Sequence, residues 1–256
     1  MEMTSYQAGT PSWIDLSATD VDAAADFYAS LFGWTVQPSV PEAGGYRIAE
    51  LRGRPVAGVG PQMQPGMTPN WATYIATDDA EATAKAVADA GGQTFMPPMD
   101  VMDAGRMAIF ADPTGGVFGA WQAGNHKGAG IVNEPGSLSW NELATRQPDA
   151  AAAFYPAVFG WEPQVHDMGG GMAYTEWLLG GKSIGGMMPM DDSIPAGTPT
   201  HWRVYFAVAD ADATAAKAAE LGGTVHLQPM DIPQGRIASL SDPQGAFFNI
   251  IGLPQA

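Results

Sequence analysis

The sequence predicts an α+β protein made of four copies of one unit, a strand, a helix and three further strands (βαβββ), gathered into two tandem domains. Three observations predict it: a long internal repeat, period-two hydrophobic alternation ahead of acid-started Ala-rich helices, and Asp-Pro-x-Gly turns before the last strand of each half. The repeat decides the architecture. "WIDLSATDVDAAADFYASLFGW" at 13–34 aligns without gaps on "WNELATRQPDAAAAFYPAVFGW" at 140–161, and "WATYIATDDAEATAKAVADAGG" matches "WRVYFAVADADATAAKAAELGG". "PPMDVMDAGR" then matches "QPMDIPQGR", and "DPTGGVF" matches "DPQGAFF".

Within the first unit, residues 12–18 alternate as a half-buried strand does, and "TDVDAAADFYASLFG" reads as a helix capped by Thr19 or Asp20 and ended by Gly33. Two strands, 46–51 and 55–60, flank the turn "RGR". The second unit runs strand 71–77, helix 79–90 stopped by Gly91-Gly92, strand 93–96, strand 106–111, the turn "DPTG" and strand 117–122. Equivalent units start near 138 and 200. The expected domains are 8–123 and 138–253, joined by the Gly-rich linker 124–137.

Composition narrows the function classes. With 15% charged and 46% hydrophobic residues the chain reads as a soluble globular protein. A net charge of −16 argues against nucleic acid and anionic membrane as partners, since both reward a cationic surface. Cysteine is absent, which removes disulfides and thiolate chemistry. The opening "MEMTSYQAGTPSW" lacks the regions of a signal peptide, and no apolar run reaches the roughly 18 residues of a membrane span, so a cytoplasmic location is expected.

The strand, acidic helix start, "FYASLFGW" or "FYPAVFGW", "GG" after the second helix and "DPTG" or "DPQG" before the final strand, in that order and twice, resemble the vicinal oxygen chelate family of glyoxalase I, bleomycin-resistance proteins and extradiol dioxygenases. More narrowly the chain resembles the tandem subgroup of natural-product producers, of the hydroxylase or glyoxalase-like antigen type. The resemblance implies two glyoxalase-like domains, each with a sheet curled into a ligand-holding cup. It also implies metal ligands on the first strand of each module and a glutamate on the last. Counting back from the acid that starts each helix, the ligand position falls on Trp13, Trp71, Trp140 and Trp202, and the glutamate position on Gly119 and Asn249. Indole N–H has no lone pair for a metal, so no metal and no other cofactor is expected. His126, His166, His201 and His226 show no i, i+4 ligand spacing, and only a one-residue misalignment would make His201 a ligand.

Strand alternation places Trp13, Asp15 and Ser17 on the first cup face, and Trp140, Glu142 and Ala144 on the second. Trp71, Thr73 and Ile75, and Trp202, Val204 and Phe206, are expected to join them. His201 and Arg203 would then turn away. The expected ligand-binding residues are Trp13, Trp71, Trp140, Trp202, Tyr46, Tyr174, Thr73, Phe206, Asn249 and His201; Asp15, Glu142 and Glu176 are the candidate acids or bases. Such tryptophans either wall a pocket for a flat ligand or fill space left by a lost metal. The carboxylates either transfer protons with raised pKa values or tie down nearby backbone. The Met-, Pro- and Gly-rich loops before Trp71 and Trp202 read as pocket lips or as ordinary loop packing.

Three functions come into question. One is a cofactor-independent tailoring enzyme, performing cyclisation or dehydration-type acid–base chemistry on a flat, polyketide-like aromatic metabolite. Another is a sequestering protein of the bleomycin-resistance kind. The third, a metal-dependent glyoxalase or dioxygenase, conflicts with the missing ligands. The expected partner is a small hydrophobic aromatic molecule, and a chain with four modules suits a monomer or a homodimer.

Overall fold

The computed structural model describes residues 1–64 and 66–252. Pro65, in the first Met-rich loop, and residue 253, the expected end of the second domain, lie outside the described residues. The first half contains β1 (Pro11–Ala18), α1 (Val21–Phe32), β2 (Thr35–Val36), β3 (Arg47–Leu51), β4 (Arg54–Pro61), β5 (Asn70–Thr77), α2 (Ala80–Asp89), β6 (Gln93–Val101), β7 (Gly105–Ala111) and β8 (Val117–Ala123). The second contains β9 (Leu138–Thr145), α3 (Pro148–Phe159), β10 (Glu162–Gly169), β11 (Met172–Leu179), β12 (Lys182–Pro189), β13 (His201–Val208), α4 (Ala211–Glu220), β14 (Thr224–Ile232), β15 (Gly235–Ser241) and β16 (Phe247–Gly252). The predicted βαβββ order is present in all four quarters.

Local chemistry sets the helix ends. Asp20 caps α1 by accepting from the Ala23 amide at 3.1 Å, and Asp79 and Asp210 do the same for α2 and α4. Gly33 and Gly160 end α1 and α3 in the left-handed region, at φ 74° and 70°.

Each half forms one open eight-stranded sheet, ordered β2-β3-β4-β1-β5-β8-β7-β6 and β10-β11-β12-β9-β13-β16-β15-β14. The two modules of a half join where β1 pairs antiparallel with β5, and β9 with β13. One face of each sheet lies in a core shared with the other half; the opposite face is the cup face. Module pairing across the halves is reciprocal. One core joins Ile14, Leu16, Phe27 and Tyr28 to Phe206, Leu240, Phe248 and Ile250, and the other joins Ile75, Phe110 and Phe118 to Phe154, Tyr155 and Trp177.

The repeated motifs tie these cores. The Tyr28 hydroxyl donates to Asp242 of the "DPQG" turn at 3.1 Å, and the Tyr155 hydroxyl donates to Asp112 of the "DPTG" turn at 2.7 Å. Each turn aspartate also accepts backbone N–H groups of its own turn, so the tyrosine of one half fixes the turn of the other. Phe27, Tyr28, Phe154 and Tyr155 are all buried.

The same ties correct part of the expected cup. Trp71 donates to the Tyr28 hydroxyl at 3.0 Å, and Trp202 to the Tyr155 hydroxyl at 3.1 Å. Both indoles lie in the shared cores, not in the cups. Thr73 is fully buried between the halves and donates to Asn141 at 2.8 Å. Phe206 packs on Phe32 and Trp71, with ring centroids 4.8 and 5.2 Å away.

The physical reason is one residue. The caps Asp20 and Gln147 stand seven residues after Trp13 and Trp140, but Asp79 and Asp210 stand eight after Trp71 and Trp202. A shift of one along a strand exchanges its faces. Accordingly Leu16 pairs with Trp71 and Leu143 with Trp202, whereas Asp15 pairs with Ala72 and Glu142 with Arg203.

Candidate active site

On the cup face of the second sheet, strand register brings Trp140, Glu142, Tyr174, Glu176, His201, Arg203, Tyr205 and Asn249 together. Glu142 is the centre of this group and is 5% exposed. Its Oε1 accepts from the Tyr205 hydroxyl at 3.1 Å and from Arg203 Nη1 at 3.3 Å. Burial raises its pKa above the usual carboxylate range, although Arg203 and the Tyr205 and Tyr174 hydroxyls pull the other way. Burial, with the negative charge of Glu142 behind it, also holds the phenols of Tyr174 and Tyr205 protonated.

Trp140 stands half-buried beside this carboxylate and donates through Nε1 to the Tyr174 hydroxyl at 2.9 Å. Room for the Tyr174 ring comes from Gly186, where an added Cβ would lie 1.8 Å from the hydroxyl. Glu176 sits further along the same row. It accepts from Ser183 and lies 2.9 Å from His166 Nε2, and these bonds lower its pKa. His201 Nδ1 is 2.8 Å from the Pro199 carbonyl, which assigns the proton there and leaves Nε2 to accept from Arg203 Nε at 3.3 Å. Asn249 accepts from Ser239 at 2.5 Å. Along the far wall the register puts Leu227, Met230, Phe247 and, opposite them, Met172 on the same face, all exposed. The His226 ring stacks on Phe247 at 4.3 Å.

The first cup is built on the same plan with different fittings. Trp13 Nε1 donates to the Tyr46 hydroxyl at 3.0 Å, which reaches Asp15 at 3.5 Å, and Tyr74 also bonds the carboxylate. Burial pushes Asp15 up to about 7. Trp13 is only 3% exposed, because His126 of the linker lies edge-on to it at 4.3 Å and Trp121 joins the cluster. The linker is therefore more than a connection. Its Ala129 amide bonds the Ser12 carbonyl, and Tyr6 of the N-terminal segment bonds the Ala129 carbonyl.

Trp13, Asp15, Trp140 and Glu142, placed by alternation, lie on the cup faces, as do Tyr46, Tyr174 and Glu176 and, at the position the resemblance gave, Asn249. Tyr74 and Tyr205 were missed, and His201 and Arg203 were turned the wrong way, all through the one-residue offset. The signal was present in the count from each strand to its helix cap.

The resemblance implies metal ligands at Trp13, Trp71, Trp140 and Trp202 and at Gly119 and Asn249; with Trp71 and Trp202 in the cores, register sets Tyr205 between Trp140 and Asn249 in the second sheet, and Tyr74 between Trp13 and Gly119 in the first. Indole N–H donors, phenols held protonated and one amide do not fit a divalent metal. Among the described residues no three His, Asp or Glu side chains gather as a metal site, and no helix is long and apolar enough to cross a membrane.

Residues 10–118 match the family model of the Glyoxalase/Bleomycin resistance protein/Dioxygenase superfamily, and residues 141–251 match that of a glyoxalase-like domain. CFP32 of Mycobacterium tuberculosis, provisionally named a glyoxylase, is 51% identical over 96% of this chain and 95% of its own. The chain belongs to this glyoxalase superfamily. The anthracycline biosynthesis protein DnrV of Streptomyces peucetius is 43% identical over 98% of this chain and 96% of its own. Among solved structures, the Mn(II)-bound glyoxalase from Novosphingobium aromaticivorans superposes with a TM-score of 0.67 at 16% identity, covering 96% of this chain and 82% of that one. The 2,3-dioxygenase LapB from a Pseudomonas species also gives 0.67, at 14% identity, with 98% and 96% covered. At such identities the likeness is one of fold alone, and this chain has its own residues at the metal row.

Proposed function

We propose that this protein is a metal-independent enzyme of natural-product metabolism that performs acid–base tailoring on a flat, polyketide-like aromatic molecule held in the C-terminal cup. The observation that carries the reading is Glu142, a buried carboxylate with a raised pKa on the sheet face that also carries exposed methionine, leucine and phenylalanine. The relatives named for anthracycline biosynthesis support the substrate class.

The chemistry fits a dehydration or cyclisation. In a dehydration, Glu142 accepts a proton from carbon beside a ring carbonyl and returns one to the leaving hydroxyl; the C–H pair becomes the new C=C bond, and the C–O bond breaks to release water. Tyr205 and Tyr174, kept protonated, donate hydrogen bonds to Glu142 or to substrate oxygens. Trp140 offers its ring as a stacking wall. Asp15 and Glu176 are the weaker acid–base candidates: Asp15 lies beside the covered Trp13, and Glu176 is held ionised by Ser183 and His166.

The test is incubation with hydroxylated tetracyclic aromatic ketones, followed by mass analysis. Product formation that Glu142→Gln lowers about 100-fold or more at unchanged thermal stability supports the enzyme. Tight binding that leaves the ligand unaltered, and that survives Glu142→Gln, replaces it with sequestration.

A further inference from the structure

We propose that the C-terminal cup selects an aromatic ligand carrying an oxyanion, a carboxylate or a phenolate, and that Arg203 is the residue that selects it. The inference rests on the reading of this cup as an aromatic-ligand site and specifies the ligand's charge.

Position is the first argument. Glu176, Gly186, Glu142 and Arg203 form one row across β11, β12, β9 and β13, so the guanidinium rises from the middle of the cup face. Bonding is the second. Nε donates to His201 and Nη1 to Glu142, both at 3.3 Å, whereas Nη2 has no protein partner among the described residues and the side chain is 27% exposed. One N–H edge of the planar fork is left to the cup. Such an edge matches a carboxylate or a pair of neighbouring ring oxygens better than any neutral group.

Charge is the third argument. Glu142 meets the guanidinium through Nη1 alone, and burial works against its charged form although Arg203 favours it. Glu176 has its oxygens engaged by Ser183 and His166. The phenols of Tyr174 and Tyr205 stay neutral, and burial keeps His201 neutral too, so it steers Arg203 without adding charge. A chain of net charge −16 repels anions at long range, so an anion must be recognised locally, by a cation built into the floor. The first cup makes the contrast within the molecule: Ala72 pairs with Asp15 where Arg203 pairs with Glu142.

The experiment is equilibrium dialysis of the intact protein against anthraquinone-2-carboxylate and its neutral carboxamide. The expected result is at least a tenfold preference for the carboxylate, lost in Arg203→Gln with amide affinity retained, and partly kept in Arg203→Lys. Equal affinity of the wild type for the two probes, or a preference that survives Arg203→Gln, overturns the assignment while leaving the aromatic-ligand reading intact. Binding of neither probe removes both. Should Arg203→Gln fail to fold, Arg203→Lys decides: a preference reduced from the wild type's supports the proposal, and one equal to the wild type's overturns it.

Discussion

The two cups start from the same tryptophan, tyrosine and carboxylate and end as different chemical environments. In the first, the linker and N-terminal segment close over Trp13, and Asp15 has only phenols beside it. In the second, Trp140 remains half-buried, and Glu142 has gained Arg203, with His201 behind it. Duplication preserved the frame, because strand register and the tyrosine–turn ties leave little freedom, while positions facing the cups could diverge without disturbing the shared cores. One cup thus favours packing and the other exposes functional groups.

The largest expected contrast is at the paired tryptophans. Trp13→Ala should cost about 3–5 kcal/mol by removing a fully buried indole, against about 1–2 kcal/mol for the half-buried Trp140→Ala. Urea unfolding of both variants measures it, and equal losses would erase the distinction between a filled cup and an open one.

Next comes the pH dependence of stability. Asp15 has a folded pKa of about 7, above its unfolded value of 3.8, so the folded state holds more protons between these limits. Its contribution is therefore fully present below about pH 4 and is lost as pH rises toward and through 7, by about 2–4 kcal/mol. Asp15→Asn should flatten this part of the stability profile; a slope unchanged by the substitution would show that Asp15 titrates normally.

The smallest effect should be the same in both halves. Gly58 and Gly186 each leave room for a tyrosine hydroxyl, 1.8 Å from where a Cβ would stand, in Tyr46 and Tyr174. Alanine at either position must push its tyrosine aside, at about 1–3 kcal/mol. Thermal melts that separate the two sites widely would mean that the common frame is not equally tight.

The fold was legible because its signals are local and repeated. Asp20 and Gly33 bound α1 by their own hydrogen bonding and backbone preference, and the repeat carried that reading into the second half. The first strand of each half was equally legible, since alternation from Trp13 and Trp140 needs no distant information. The site was legible along those strands, at Tyr46 just before β3, on β11 and at Asn249 of β16. On β5 and β13 the reading failed because an extra residue before the cap changes no composition and leaves the alternating pattern just as plausible on either face.

By itself the sequence determined the four units, their helix ends and the carboxylates on β1 and β9, all set by short-range backbone chemistry and residue identity. Only the tertiary structure decided that the linker covers the first cup and that Arg203 and Tyr205 meet Glu142. Those outcomes depend on the register between strands about 60 residues apart and on contacts between the halves, and no local pattern encodes either.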